Sequence, residues 1–401
     1  MTRLVYVANV RLPTEKAHGV QIARMCEALA LAGVDVTLLH PTRRQPDVAL
    51  ARVSLVDYYG VRPAFTVRAL PNLDVMPLSE VVPATAFVPI GFAQALAWGW
   101  VASRAAARLE ADVCVTRDVP AAYWLVRRGL PTVLELHALP RRVQAGLLAR
   151  VLRAPALVAV VALTSHLGAD VVRRGVPAER VHVLPDGVDL GAFAGLPDRA
   201  TCRRRLGLPV DSPIVGYVGR FHTLEAEKGV PELVAAMAAL PAGAGGAPLL
   251  LCVGGPMHAV PAYVAAARAA GVPADRLRFV DRVPTGDVPC WIRACDVVTI
   301  PFPPTRHYAY YASPLKLFEY MAAEVPIVAS DLPALRDVLR HDHNALLATP
   351  GDPAALARTL GTALADGARS RRVARQARTD VERYSWRRRA GALLDACGLA
   401  T

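Results

Sequence analysis

The sequence predicts an α/β protein of two doubly wound domains, each a parallel sheet wrapped by helices. Two observations carry this. Apolar runs of strand length alternate with helical patterns, and the alternation stops once and then restarts. The length, 401 residues, exceeds one ordinary core and suits two.

The first series opens on "LVYVANV", a strand, followed by the helical "GVQIARMCEALALAG" and the strand "DVTLLHP". "DVCVTR", "PTVLELH" and "LVAVVALTSH" continue it, and β-α-β order of this kind implies parallel pairing. Residues 185–211 are rich in Pro, Gly and Asp and read as a linker. The second series runs through "IVGYVGR", "PLLLCVGG", "LRFVDRV", "DVVTIPF" and "PIVAS", and "DVERYSWRRRAGALLDAC" is a closing helix. The expected boundaries are 1–195 for an N-terminal domain, 196–380 for a C-terminal domain and 381–401 for a terminal helix.

Hydrophobic residues at 53% and charged residues at 20% are a globular composition and exclude disorder. A formal net charge of +12 favours anionic partners. The arginine triplets at 203–205 and 387–389 read as solvated helix faces, and no zinc-finger spacing or RNA-binding aromatic signature accompanies them, so nucleic acid is not the expected partner. Seven scattered cysteines without a C-x-x-C pattern suggest reduced thiols in the cytoplasm, and the start of the sequence lacks a signal-peptide pattern. Residues 81–103 carry no charge. Pro83, Pro89 and Gly91 break the first half, so the reading is a buried helix from about Ile90; the alternative is an apolar wall, with Phe92 and Trp98, facing a lipid or aromatic acceptor at the inner face of the membrane.

In doubly wound sheets ligands sit beyond the carboxyl ends of the strands. There the first series places His18 and Gly19 at a helix start, where bare N–H groups and the helix dipole suit a phosphate; a plain turn glycine is the alternative. Glu135 and His137 end a strand on one face, His137 being either structural or a donor to a substrate hydroxyl or phosphate. In the second series Arg220 follows a strand directly and Lys228 opens the next helix, a pair suited to a diphosphate, although either alone is an ordinary surface charge. Ser313 is expected to cap a helix with Pro314 in its first turn, after a loop "PTRHYAYYA". The free N–H groups of Leu315 and Lys316 would then face an anion, and Glu319, one turn in, can accept both hydroxyls of a ribose.

Taken in order, "HGVQIARMCEALALAGVDVTLL", "VLPDGVDLGAF", "VGYVGRF…EKG", "LLLCVGGP" and "SPLKLFEYMAAEVPIVASDLPALRDVL" resemble the GT-B glycosyltransferases of family 4, the retaining group, over almost the full chain. The resemblance implies two Rossmann-like domains facing a cleft, with the C-terminal helix crossing back to the N-terminal domain. It implies a nucleotide-sugar donor, UDP-linked, on the C-terminal domain and a hydroxyl acceptor, glycan, lipid-linked or small metabolite, on the other. Arg220 and Lys228 would hold the pyrophosphate, helped by Leu315 and Lys316; Glu319 would hold the ribose; Gly19 would touch the distal phosphate. His137 would lie near the sugar, and Arg282 and Val283 would read the base. No cofactor and no metal are implied, and the chain contains no D-x-D. Two features depart from the family. Tyr311 stands where the first carboxylate of an E-x7-E pair is expected, leaving its donor-sugar contacts to Tyr311, His307 or Ser313. "FHTLEAE" lengthens the loop between Arg220 and Lys228. The departures leave open a GT-B sugar-nucleotide epimerase or a non-catalytic sugar-nucleotide binder.

Overall fold

The computed structural model describes residues 2–140, 143–223, 226–240 and 246–399. It divides into two compact units, Met1–Asp186 with Trp386–Thr401, and Gly187–Ser385. The first holds a seven-stranded parallel sheet made of β1 (Arg3–Val7), β2 (Asp35–Pro41), β3 (Thr66–Leu70), β4 (Val113–Thr116), β5 (Thr132–Leu136), β6 (Leu157–Ala162) and β7 (Val181–Val183), in the order β3-β2-β1-β4-β5-β6-β7. The central strands β4 and β5 are buried throughout, which is why they are mostly apolar, with Glu135 on β5 the one charged residue. β3, by contrast, is an exposed edge strand, "TVRAL", and the apolar-run criterion passes over it.

The second unit repeats the design with six parallel strands. β8 (Ile214–Val218) is followed by a short antiparallel hairpin of β9 (His222–Thr223) and β10 (Ala226–Glu227), which occupies the lengthened loop. β11 (Leu249–Val253), β12 (Leu277–Val280), β13 (Val297–Ile300), β14 (Ile327–Ser330) and β15 (Leu346–Ala348) complete the sheet in the order β12-β11-β8-β13-β14-β15. The two sheets are Rossmann-like.

The linker expected at 185–211 is instead part of the second unit. Asp198 caps a helix over Arg199–Leu206, and Val188, Phe193, Cys202 and Leu208 are buried in the second unit's core. That packing puts the division at Asp186 and Gly187 rather than at 195. At the other end Val381–Tyr384 stays with the second unit and the helix Trp386–Ala396 packs on the first, against Ala17–Leu31.

The arginine triplets are not wholly solvated. Arg203 is buried against Asp296 at 2.5 Å, with its other N–H groups on the carbonyls of Ala294, Val210 and Ser212. Arg389 is buried against Glu135 at 2.8 Å.

The uncharged stretch also differs from its expectation. Its helix runs Ala84–Arg108 with Pro89 inside, and by length and composition Thr85–Arg108 would suffice to cross a membrane. It is not a buried helix. Gln94, Trp98, Ala102 and Ala106, every fourth residue, form the face that packs inward, while Val88, Ile90 and Trp100 are exposed. Trp98 therefore belongs to the core and not to an outer wall.

Candidate functional site

In the first unit the strand ends carry a closed polar network. Glu135 on β5 accepts from Gln21 Nε2 at 2.6 Å, from His137 Nε2 at 2.6 Å and from Arg389 at 2.8 Å. Arg117, just past β4, donates to Gln21 at 2.5 Å and to His137 Nδ1 at 2.9 Å. His137 is thereby fixed with its proton on Nε2 and Nδ1 as acceptor. Burial, reinforced by Arg117, pushes its pKa down to about 4, so the ring is neutral at pH 7. Burial alone would raise the Glu135 carboxyl; Arg389, the His137 hydrogen bond and Arg117 hold it well below the usual range. Both ring nitrogens of His137 are engaged inside the protein, so donation to a substrate requires one of these bonds to open.

Burial, followed by the charges of Arg117 and Lys16, pushes His18 down to about 3. Gly19 is buried, and its N–H already donates to the Lys16 carbonyl at 3.0 Å. A Cβ there would stand 2.0 Å from the Tyr59 hydroxyl, which both accepts from and donates to the Thr14 backbone. The immediate reason for glycine is thus the packing of Tyr59.

In the second unit the candidate residues gather at the end of β8. Gly219, at φ 140°, turns the chain, and the Arg220 carbonyl accepts from the buried Tyr217 hydroxyl at 2.8 Å. Lys228 lies near Arg220; burial and that like charge push its ammonium down to about 8. The next contributor is the helix Leu315–Ala322. Pro314, and not Ser313, occupies the N-cap position, with φ −81° and ψ 128°. A proline ring offers no oxygen to the N–H groups of the first turn. Among the described residues no backbone hydrogen bond takes the N–H of Leu315 or Lys316.

Lys316 and Glu319 leave this helix together. The Lys316 side chain is buried, with Nζ 3.4 Å from the centre of the Tyr217 ring, and burial and Lys228 drive its pKa well down. Burial raises Glu319 to about 7, with Lys316 pulling the other way. His307 also feels Lys228 and is pushed down, first by burial.

The segment expected as a loop before this helix contains a helical turn, Arg306–Tyr310, because Thr305 caps it through Tyr308 N–H. Tyr311 is buried, its hydroxyl 3.2 Å from the Arg306 guanidinium. Arg282 is exposed and Val283 half-buried in the loop after β12, two strands from β8, so they are not part of the cation group. Sequence reasoning missed Arg117, Gln21, Tyr217 and Arg389. Only Arg117 carried a local signal, standing directly after a strand.

Among the described residues no group of three or more His, Cys, Asp or Glu side chains could hold a metal ion.

Comparisons with known proteins agree with this architecture. A family model described as Glycosyltransferase Family 4 matches residues 18–192, and one described as Glycosyl transferases group 1 matches residues 212–366. A D-inositol 3-phosphate glycosyltransferase of Xylanimonas cellulosilytica is 36% identical over 265 residues, 61% of this chain and 57% of that protein. A 2-deoxystreptamine N-acetyl-D-glucosaminyltransferase of Streptomyces fradiae is 34% identical, over 55% of this chain and 50% of that protein. The chain spans between about half and two-thirds of the length of these curated relatives and others like them. Among solved structures, Anabaena HepE in complex with UDP and glucose superimposes with a TM-score of 0.71 at 18% identity, covering 99% of this chain and 100% of that one. The sucrose-phosphate synthase of Thermosynechococcus elongatus gives 0.72 at 21% identity, covering 98% of both chains. These two likenesses carry the fold, and the family matches, one in each unit, carry the membership: the chain belongs to the family 4 glycosyltransferases of the GT-B fold.

Proposed function

We propose that the protein is a retaining glycosyltransferase that moves a sugar from a UDP-linked donor to a hydroxyl acceptor without a metal ion. The observation that supports this best is the gathering of cations at the end of β8. Lys228 and Lys316 form no ion pair among the described residues, and the N–H groups of Leu315 and Lys316 lie at the neighbouring helix start. An arrangement with excess positive charge suits a leaving group that gains negative charge as it departs.

In this reading Arg220, Lys228 and the two N–H groups bind the diphosphate. The bond from the anomeric carbon to the diphosphate oxygen breaks, and its electron pair leaves with the diphosphate. The acceptor oxygen forms the new bond on the same face, and its proton passes to the departing diphosphate oxygen. Glu319 accepts the ribose hydroxyls, and its ionisation near pH 7 makes donor affinity rise as pH rises through that value. Gly19 is the distal phosphate's neighbour, Arg282 and Val283 read the base, and Tyr311 and Ser313 face the donor sugar in place of a carboxylate. His137 belongs near the transferred sugar, held in one tautomer by Glu135 and Arg117.

Two named relatives carry D-inositol 3-phosphate and 2-deoxystreptamine in their names, which favours a small polyhydroxylated metabolite as acceptor over a glycan or a lipid-linked one. The reading places the protein in the cytoplasm, with peripheral contact to the inner face of the membrane through Val88, Ile90 and Trp100, where Arg104 stacks on Trp100 at 4.8 Å. Co-sedimentation with acidic liposomes checks that contact, and binding that survives Trp100→Glu refutes it.

The central test is calorimetry against UDP, GDP, ADP and TDP and their sugar conjugates, with Arg220→Ala and Lys228→Ala. Both variants are expected to fold and to lose UDP binding. Normal turnover in both would sink the proposal.

A further inference from the structure

Lys316 ends in an amino group for which the fold supplies no acceptor. The side chain is 7% exposed and Nζ has no hydrogen-bond partner among the described residues. Nζ stands 3.4 Å from the centre of the Tyr217 ring and 6.0 Å from that of Phe302. The face of a ring attracts a cation, but it does not replace the three acceptors that water gives an ammonium group. The charged and titratable groups around it are Lys228, which repels it, Glu319 on its own helix, and the Cys252 thiol on β11. None of them forms an ion pair with it. Burial raises the Cys252 thiol, so that group stays neutral and supplies no counter-charge.

The position of Nζ is as telling as its isolation. It lies against Gly219, where a Cβ would stand 2.9 Å from Nζ and 2.8 Å from Cε. Gly219 immediately precedes Arg220. The ammonium therefore sits under the same strand end that presents Arg220 and Lys228. It also issues from the helix turn whose N–H groups at Leu315 and Lys316 meet no backbone acceptor among the described residues. A methionine would fill this space without the charge, so a lysine here lowers the stability of the free protein.

We propose that the Lys316 side chain, and not only its backbone N–H, is a phosphate-binding group, and that its missing counter-ion is the diphosphate of the nucleotide. This rests on the donor reading above and goes beyond it by adding a third side-chain cation at a position inside the helix. Arrival of the diphosphate stabilises the protonated ammonium, so binding is accompanied by proton uptake.

The test is Lys316→Met, with Lys316→Gln as a second variant, titrated with UDP, UMP and uridine and melted without ligand. The free Met variant is expected to melt no lower than the parent. UDP affinity is expected to fall about tenfold or more, UMP affinity less, and uridine affinity not at all. The parent's UDP affinity declines as rising pH takes the protons from Lys316 and Lys228, and the decline is shallower in the variant. UDP affinity within about twofold of the parent in both variants overturns the proposal, as does an equal loss for uridine and UDP. A parent that binds no nucleoside diphosphate at all fails earlier, at the donor reading itself, and takes this inference with it.

Discussion

The strand ends of the two units solve opposite problems with the same residue types. In the first, the buried Glu135 carboxylate has a cation, Arg389, and two further donors, Gln21 and His137, and Arg117 braces the latter two, although Arg389 Nη1 itself finds no hydrogen-bond partner among the described residues. In the second, Lys316 and Lys228 face each other's field with no carboxylate closing an ion pair, and burial displaces both from their ordinary ionisation. A buried charge that is paired belongs to the finished structure, while one left unpaired marks a place where something else supplies the partner. Under the proposed function, the first sheet's network is a stability element and the second sheet's is a binding element, although both stand at parallel strand ends.

The comparison breaks first at Arg389. Arg389→Met leaves Glu135 buried without its main counter-charge and is expected to cost about 3–5 kcal/mol. Denaturant unfolding measures this, and adding Glu135→Leu is expected to restore most of the loss. A cost below about 1 kcal/mol would mean that the network is not structural. Lys228→Ala tests the opposite side. UDP affinity is expected to fall by roughly 10–100-fold while the melting temperature holds or rises, read by calorimetry and thermal melting. Gly19→Ala sharpens the assignment of Gly19 to packing. The Tyr59 clash is expected to cost about 1–3 kcal/mol, seen in unfolding, with UDP affinity falling by less than about threefold.

The smallest effect is at Glu319. Its folded pKa, about 7, lies above the ordinary 4.5, so the folded state holds more protons than the unfolded one between those values. Stability contributed by the protonated carboxyl is complete at low pH and is lost as pH rises towards 7. Glu319→Gln should therefore match the parent below about pH 4.5 and exceed it, by the order of 1 kcal/mol, above about pH 7. Melting curves over that range show it. The same variant should no longer distinguish UDP from its 2′-deoxy form.

Much of this was legible because it is local. Both parallel sheets, the restart between them and the cations after β8 are written in short apolar runs and the residues that end them. What was not legible is contact at long range. An arginine triplet does not reveal which guanidinium turns inward, because Arg203 meets Asp296 93 residues away and Arg389 meets Glu135 254 residues away. Tyr217 beneath Lys316 and Tyr59 beside Gly19 are hidden for the same reason. The cap failed differently. The helix starts at Leu315, one residue later than expected, which puts Pro314 rather than Ser313 at the N-cap position. The edge strand β3 lacks the apolar run because its faces are in water.

The tie between Glu135 and Arg389 has a bearing on synthesis. A ribosome adds roughly 5–20 residues per second, so β5 emerges many seconds before the arginine that neutralises its carboxylate. Until the helix Trp386–Ala396 arrives, the nascent first sheet contains an acid it cannot yet bury. The acid thus acts as a check on completeness. A chain cut short before residue 389 is expected to keep a soft spot in β5, and only a chain that includes Arg389 can close it.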